Sequence, residues 1–213
     1  IEAAAAALHD PDNDMYGITA ANIPGEVFTQ QVFEHFALAN GCELTDDGGV
    51  AFDSPECVEA VTFYTDLLNY YSPGGAQDVV STRAAYFAGQ GALVPWSPFI
   101  LAEMAGLRDA AIPACDECVE NPACLAEISG NVTAISGPSG APSQYGQVSY
   151  MGIGSGSTTE AAQQFLEYWF SDPAYIQWLS TSVEGKFPMR SGTPDDPTAF
   201  VDQWKTLETG VDR

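Results

Sequence analysis

The sequence predicts an α/β fold, and three observations carry that reading. Segments with strand character alternate with segments of helical periodicity along the chain. Several helix starts are signalled explicitly by capping residues followed by proline or acidic residues. The 213 residues are 46% hydrophobic and 11% aromatic, which is enough to bury a sizeable core.

The elements follow in order. Tyr16–Ala20 reads as a short strand. A helix is expected from about Pro24 to Asn40, with Phe28, Val32, Phe33 and Phe36 as its apolar face and Gly41 as its stop. Thr45–Gly49 is turn chemistry and Val50–Phe52 a short strand. Ser54 can cap the next helix, Pro55 suits its first position, and Glu56 and Glu59 favour its positive end. Val58, Val61 and Leu68, with Tyr64, Leu67 and Tyr71, are read as its buried stripe. A short helix around Thr82–Ala88 leads to a buried strand, Gly91–Pro95, which ends at Trp96. Pro98 to about Leu107 reads as helical. A cysteine-rich loop follows, then a strand at Asn131–Ile135, a Gly/Pro/Ser segment at Ser136–Ser143 and a strand at Tyr150–Ile153. Ser157 and Glu160 form a capping box for a helix with Ala162, Phe165, Leu166 and Trp169 at core spacing. Asp172-Pro173 opens another helix to about Ser182, and the last helix is expected at Pro197–Leu207.

Charge narrows the function. The chain has 29 acidic residues against 6 basic ones, a net charge of −23. Nucleic-acid binding needs a basic footprint, and an anionic membrane surface attracts one too, so both are disfavoured. The acids are dispersed and Lys is scarce, a pattern suited to solubility in high salt and also to an ordinary acidic secreted protein. No apolar run approaches the roughly 18 residues of a membrane span. The opening Ile1–Leu8 reads as the end of a helix cut from something longer, so the chain is expected to be a fragment.

Catalytic signatures are scarce. There is no G-x-S-x-G, H-E-x-x-H or Walker loop. His9 and His35 suit structural or solvated positions. The Gly152-Ile-Gly154-Ser-Gly156-Ser157 run lies between a strand and a helix, but its third fingerprint glycine falls on Ser157. Carboxylates are abundant enough to leave a glycosidase-like pair open, yet nothing singles out two of them. For Cys115, Cys118 and Cys124 neither His9 nor His35 lies close in sequence as a fourth metal ligand. Asp116, Glu117 and Glu120 could contribute, but thiolate sites rarely mix that way, which favours disulfides in an oxidising compartment. Cys42 and Cys57 would close a short loop, and two of the clustered three could pair.

Aromatic residues stand at element junctions instead: Trp96 and Phe99, Tyr145 and Tyr150, and Phe187. Such rings can stack on sugar faces while polar neighbours satisfy hydroxyls, and for any single ring ordinary core packing is the alternative. The prolines flanking Trp96 place it at a cleft rim.

Several motifs then resemble one family. Asp53-Ser-Pro-Glu-Cys-Val-Glu-Ala60 is similar to its F-D-S-P-E helix start, and Tyr71-Ser-Pro73 to the segment closing that helix. Phe87-Ala-Gly-Gln-Gly-Ala-Leu93 is similar to F-x-x-G-x-A-M, which leads into a strand and a ligand-stacking Trp, here Trp96. Asp172-Pro173, after an A-x-x-F-L-x-[YW] helix, and Gly185-Lys-Phe-Pro-Met-Arg190 fit its later segments. In that order, from Tyr16 to Arg190, they resemble the extracellular solute-binding proteins of ABC importers that include maltose-binding protein. Leu93 replaces the usual Met, Pro95 stands where Gly-Pro is common, and the cysteine loop has no counterpart.

The resemblance implies a C-terminal fragment of a periplasmic-binding-protein-like (type II) two-lobe fold. Residues 1–146 would belong mainly to the C-terminal lobe, 147–184 would return to the N-terminal lobe, and 185–213 would cross back. Trp96 would stack on a sugar. Phe99, Glu26, Phe28, Tyr145, Gly146, Gln147, Phe187 and Arg190 would complete the ligand contacts. The implied protein is a monomeric, non-enzymatic receptor without metal or cofactor. It captures a neutral sugar by cleft closure and delivers it to a membrane permease. It would sit outside the cell or in the periplasm, anchored through a missing N-terminus. A cationic ligand such as a polyamine, a secreted glycoside-active enzyme and a purely structural surface protein are the rival readings.

Overall fold

The computed structural model describes residues 1–108, 112–144, 146–156, 158–180 and 187–205. Helices α1 (Glu2–Leu8), α2 (Val27–Ala39) and α3 (Pro55–Tyr71) pack around an extended segment, residues 16–21, that runs through their centre. Its parallel partner is the segment 90–93. The Tyr16 amide donates to the Gln90 carbonyl at 2.8 Å, Ala92 donates to Tyr16 at 2.9 Å and Thr19 donates to Leu93 at 2.8 Å. Glycine makes both close approaches possible. A Cβ at Gly17 would overlap the Ala5 carbonyl, and one at Gly91 would stand 2.7 Å from Thr19 Cγ2.

The start of α3 follows its sequence signals. Ser54 Oγ accepts the Cys57 amide at 3.2 Å and Pro55 occupies the first turn. Its buried stripe is Cys57, Ala60, Tyr64 and Leu67, whereas Val58 and Val61 are exposed. Tyr64 and Leu67 are buried as predicted and Leu68 and Tyr71 pack on the same core, while Cys57 and Ala60 take the places expected for Val58 and Val61. The 3-4-3 spacing of the observed stripe keeps one seam toward α2, and Tyr64 fixes it by donating from its hydroxyl to the Ala21 carbonyl at 2.7 Å. Burying Leu67 there contributes about 2 kcal/mol.

α2 begins later than expected, at Val27, with Glu26 at its cap in an extended conformation. It ends at Gly41, whose φ of 79° suits glycine. Beyond it, β1 (Thr45–Asp46) and β2 (Gly49–Val50) form a hairpin of two-residue strands around Asp47-Gly48. A disulfide between Cys42 and Cys57, 2.04 Å long, ties the end of α2 to the start of α3 and encloses this hairpin.

α4 (Val79–Phe87) starts three residues earlier than predicted because Asp78 and Ser81 form a reciprocal capping box. A 3-10 turn at Pro98–Ile100 feeds the short helix α5 (Leu101–Met104), and α6 (Cys124–Ile128) follows the cysteine loop. These elements surround a second core of Phe87, Ile100, Met104, Cys115, Cys118, Cys124 and Leu125.

The predicted strands are reduced in the structure. Residues 16–20 and 91–95 pair through a single parallel bridge, Tyr16 to Gly91, and 131–135 contributes one antiparallel bridge, Ile135 to Ser143. Residues 150–153 lie exposed, with Tyr150 at 87%. A strand needs a partner for its backbone groups, and without one the segment leaves them to water. The described fold is therefore a helix-rich α/β arrangement.

The last three helices pack together: α7 (Thr159–Trp169), α8 (Asp172–Ser180) and α9 (Ala199–Lys205). Tyr175, Leu179 and Phe200 form their core, with Tyr175 set edge-on to Phe200 at 4.9 Å. Phe165 of α7 was expected in a core and is 51% exposed, because among the described residues α7 finds its main packing partner in α8. Ser157 and the predicted end of α8 at Ser182 lie outside the described residues, as do residues 206–207 of the last predicted helix.

Candidate functional site

Two aromatic residues 68 positions apart in sequence meet at the first turn of α2. The rings of Phe28 and Trp96 are 4.5 Å apart between centroids and tilted by 57°. Both are half-buried. Trp96 reaches this position because residues 90–93 lie alongside residues 16–19, which delivers the chain to the N-terminal end of α2. Its inner face packs on the second core beside Tyr86, while Phe28 packs on the first. The pair thus bridges two cores and presents a partly open apolar surface.

Polar groups stand around it. Glu26 caps α2, and its carboxylate accepts the Thr29 hydroxyl at 3.5 Å. Gln147 accepts at Oε1 from Gln31 Nε2 at 3.0 Å, so the extended stretch after residue 145 lies beside α2. Gln31 was missed from the sequence. It follows Phe28 by one helical step of three residues and therefore shares its face, and that spacing was available to find it. Gly146 is exposed, with open space where a side chain would be. Asn22 holds the approach to α2 by a different route. Its side chain accepts the Gln77 amide at 2.6 Å and donates to the Gly75 carbonyl at 2.9 Å.

The other predicted site residues are placed elsewhere. Phe99 is half-buried, with the Arg108 guanidinium 5.2 Å above its ring. Phe187 and Arg190 belong to the α8–α9 unit. The Phe187 ring lies 4.8 Å from that of Trp204 between centroids, tilted by 35°. Arg190 donates to the Phe170 carbonyl and to Asp172 Oδ1, both at 2.8 Å, and covers the Phe200 ring at 4.9 Å. Its charge is engaged in holding the late loop on α8. Tyr145, Gly185 and Lys186 lie outside the described residues.

Charge at the site is sparse in cations. An ion pair, Arg83 to Glu103 at 2.8 Å, has a nearly fully buried carboxylate and engages the basic charge of α4. The Phe28–Trp96 surface with Glu26, Gln31 and Gln147 nearby offers apolar stacking, a carboxylate acceptor and amide groups. That combination suits a neutral hydroxylated molecule, whose carbon face stacks while its hydroxyls take polar partners.

No family model matches the chain. Over 95 residues, 44% of its length, it is 35% identical to the putative ABC transporter periplasmic-binding protein YcjN of Escherichia coli (strain K12). In three dimensions, 99% of it superposes with a TM-score of 0.61 on an ABC transporter solute-binding protein from Agrobacterium radiobacter K84, solved in complex with ribitol, at 21% identity. The chain spans 22% of the first protein and 53% of the second. The resemblance read from the motifs is thus met at two levels. In sequence the chain is similar to an ABC transporter periplasmic-binding protein, and in fold it matches part of an ABC solute-binding protein. Both relatives are described as binding proteins. Among the described residues no helix is long and apolar enough to cross a membrane.

Proposed function

We propose that this chain forms part of a periplasmic or extracellular receptor that binds a neutral polyhydroxylated solute, a sugar or sugar alcohol, and hands it to an ABC import permease. The observation that carries the reading is the Phe28–Trp96 pair at 4.5 Å, half-open at the first turn of α2. The similarity to a periplasmic-binding protein and the fold shared with a ribitol-bound receptor support it.

In this reading Trp96 stacks on the solute, Phe28 and Phe99 flank it, and Glu26, Gly146 and Gln147 meet its hydroxyls beside Tyr145. Phe187 and Arg190 act through the late loop. Residues 1–146 build most of one lobe, 147–184 belong to the other, and 185–213 cross back. Solute binding favours the closed arrangement of the lobes by its higher affinity for that state. The receptor works as a monomer without metal or cofactor in transport, is membrane-anchored, and its −23 charge keeps it soluble at high salt.

A panel of sugars, sugar alcohols and polyamines added to the full-length receptor tests this by thermal shift and product analysis. Stabilisation by one or more neutral polyols without product formation is expected. Turnover of an oligosaccharide, or stabilisation by polyamines alone, would overturn it.

A further inference from the structure

Five cysteines cannot all pair within one chain. Cys42 and Cys57 are joined at the α2–α3 junction, in a different buried cluster from the other three. The sulfur atoms of Cys115, Cys118 and Cys124 all lie within 4.8 Å of one another, and these residues are only 3, 2 and 7% exposed. In the structure Cys115 is bonded to Cys118, and the Cys124 thiol is free beside them.

The backbone holds this cluster in place. The Ala114 amide donates to the Phe87 carbonyl at 2.8 Å, fixing the cysteine loop on the end of α4. Gly89, with φ of 73°, lets Cys115 approach, since a Cβ there would lie 3.2 Å from the Cys115 Cβ. The Cys118 amide donates to the Cys115 carbonyl at 2.8 Å, and Cys124 is anchored by its amide on the Asn121 carbonyl at 2.9 Å. Met104 belongs to the same buried cluster, and Trp96 packs against it.

We propose that Cys115, Cys118 and Cys124 form a binding site for one thiophilic d10 cation when Cys115 and Cys118 are reduced. A metal–sulfur bond of about 2.3 Å requires sulfurs roughly 4 Å apart around a three-coordinate ion. Reaching that geometry takes opening the Cys115–Cys118 bond and parting its two sulfurs by about 2 Å, while all three sulfurs already lie within 4.8 Å of one another. Among the described residues the group contains neither a nitrogen nor a carboxylate ligand, and its surroundings are apolar. An all-sulfur donor set of three, with a thioether in the same cluster, suits Cu(I) first. Zn(II) prefers four ligands and would take its fourth from solvent. Each thiol that ligates as thiolate loses its proton to solvent, and no electron is transferred. Opening the Cys115–Cys118 bond takes two electrons and two protons from an external dithiol, which is oxidised to its own disulfide. The reverse exchange with an external disulfide is the competing fate of the same atoms. The site is independent of the solute reading, although Trp96 lies against both.

The test uses the full chain, reduced and desalted without oxygen, then titrated with Cu(I) or Zn(II) against a competing chelator. One equivalent retained per chain, a sulfur-only shell in X-ray absorption and a change in tryptophan fluorescence are expected. Zn(II) retained in place of Cu(I), with three sulfurs and one solvent oxygen in its shell, supports the site and assigns it to Zn(II). Cys124→Ser should weaken retention at least ten-fold, and the double change Cys42→Ala, Cys57→Ala should leave it unchanged. Loss of both ions to the chelator, or a nitrogen or oxygen shell with fewer than three sulfurs, overturns the proposal. So does equal retention by the oxidised chain, which reads Cys124 as a core-filling residue. The absorption and oxidation arms use the unsubstituted chain, so a variant that fails to fold does not decide the outcome.

Discussion

Replacing Phe28 and Trp96 by alanine, singly and together, tests whether the two rings interact as the geometry requires. Trp96 is half-buried against the second core, so Trp96→Ala should cost about 2 kcal/mol, less than a fully buried ring would. Phe28→Ala should cost about 1–2 kcal/mol on the same grounds. Beyond those losses, tilted rings with centroids 4.5 Å apart are coupled by about 0.5–1.5 kcal/mol. The double variant should therefore be less unstable than the sum of the singles by that amount. Urea unfolding of all four proteins measures it. Independent sites add to within about 0.3–0.5 kcal/mol, so a coupling below that range would mean that the rings do not meet in solution.

Two further outcomes follow from other parts of the fold. The Cys42–Cys57 disulfide closes a sequence separation of 15, worth about 3 kcal/mol in a chain-entropy account. Replacing both residues with alanine should lower Tm by roughly 6–12 °C if the chain unfolds as one unit, and an unchanged Tm in calorimetry would contradict this. Burial lowers the pKa of His35, whose Nε2 is buried with no hydrogen-bond partner among the described residues. The native state then resists protonation while the unfolded state accepts it, so stability should fall as pH drops below about 6.5. His35→Leu should flatten that slope in denaturant midpoints taken from pH ~7 to ~5, and a slope kept in the variant would assign it to other groups.

Local chemistry made some elements legible from sequence, and distance hid others. Ser54 and Pro55 set the start of α3 by interactions within four residues, and Gly41 ended α2 through its own backbone freedom. The flanking prolines pointed to Trp96. Its partner Phe28 was named for a different reason, and only the parallel pairing of residues 16–19 with 90–93 brings the two together. That pairing depends on Gly17 and Gly91 fitting against Ala5 and Thr19, a steric match that no local pattern displays. Tyr64 and Leu67 were read correctly as buried, whereas Val58 and Val61 were misjudged because they are more apolar by type than Cys57 and Ala60, which the fold buries instead. Arg190 read as a ligand contact, and its engagement with Asp172 and the Phe170 carbonyl spans 18 to 20 residues that sequence alone does not fold.

Titration calorimetry of the full-length receptor with ribitol and related neutral polyols, in parallel for Trp96→Ala, addresses the central claim most directly. The account predicts saturable one-to-one binding of at least one such solute, no chemical product, and an affinity loss of at least ten-fold in the variant, or about 1.4 kcal/mol. Absence of binding across the panel, or binding of equal strength in Trp96→Ala, would contradict it.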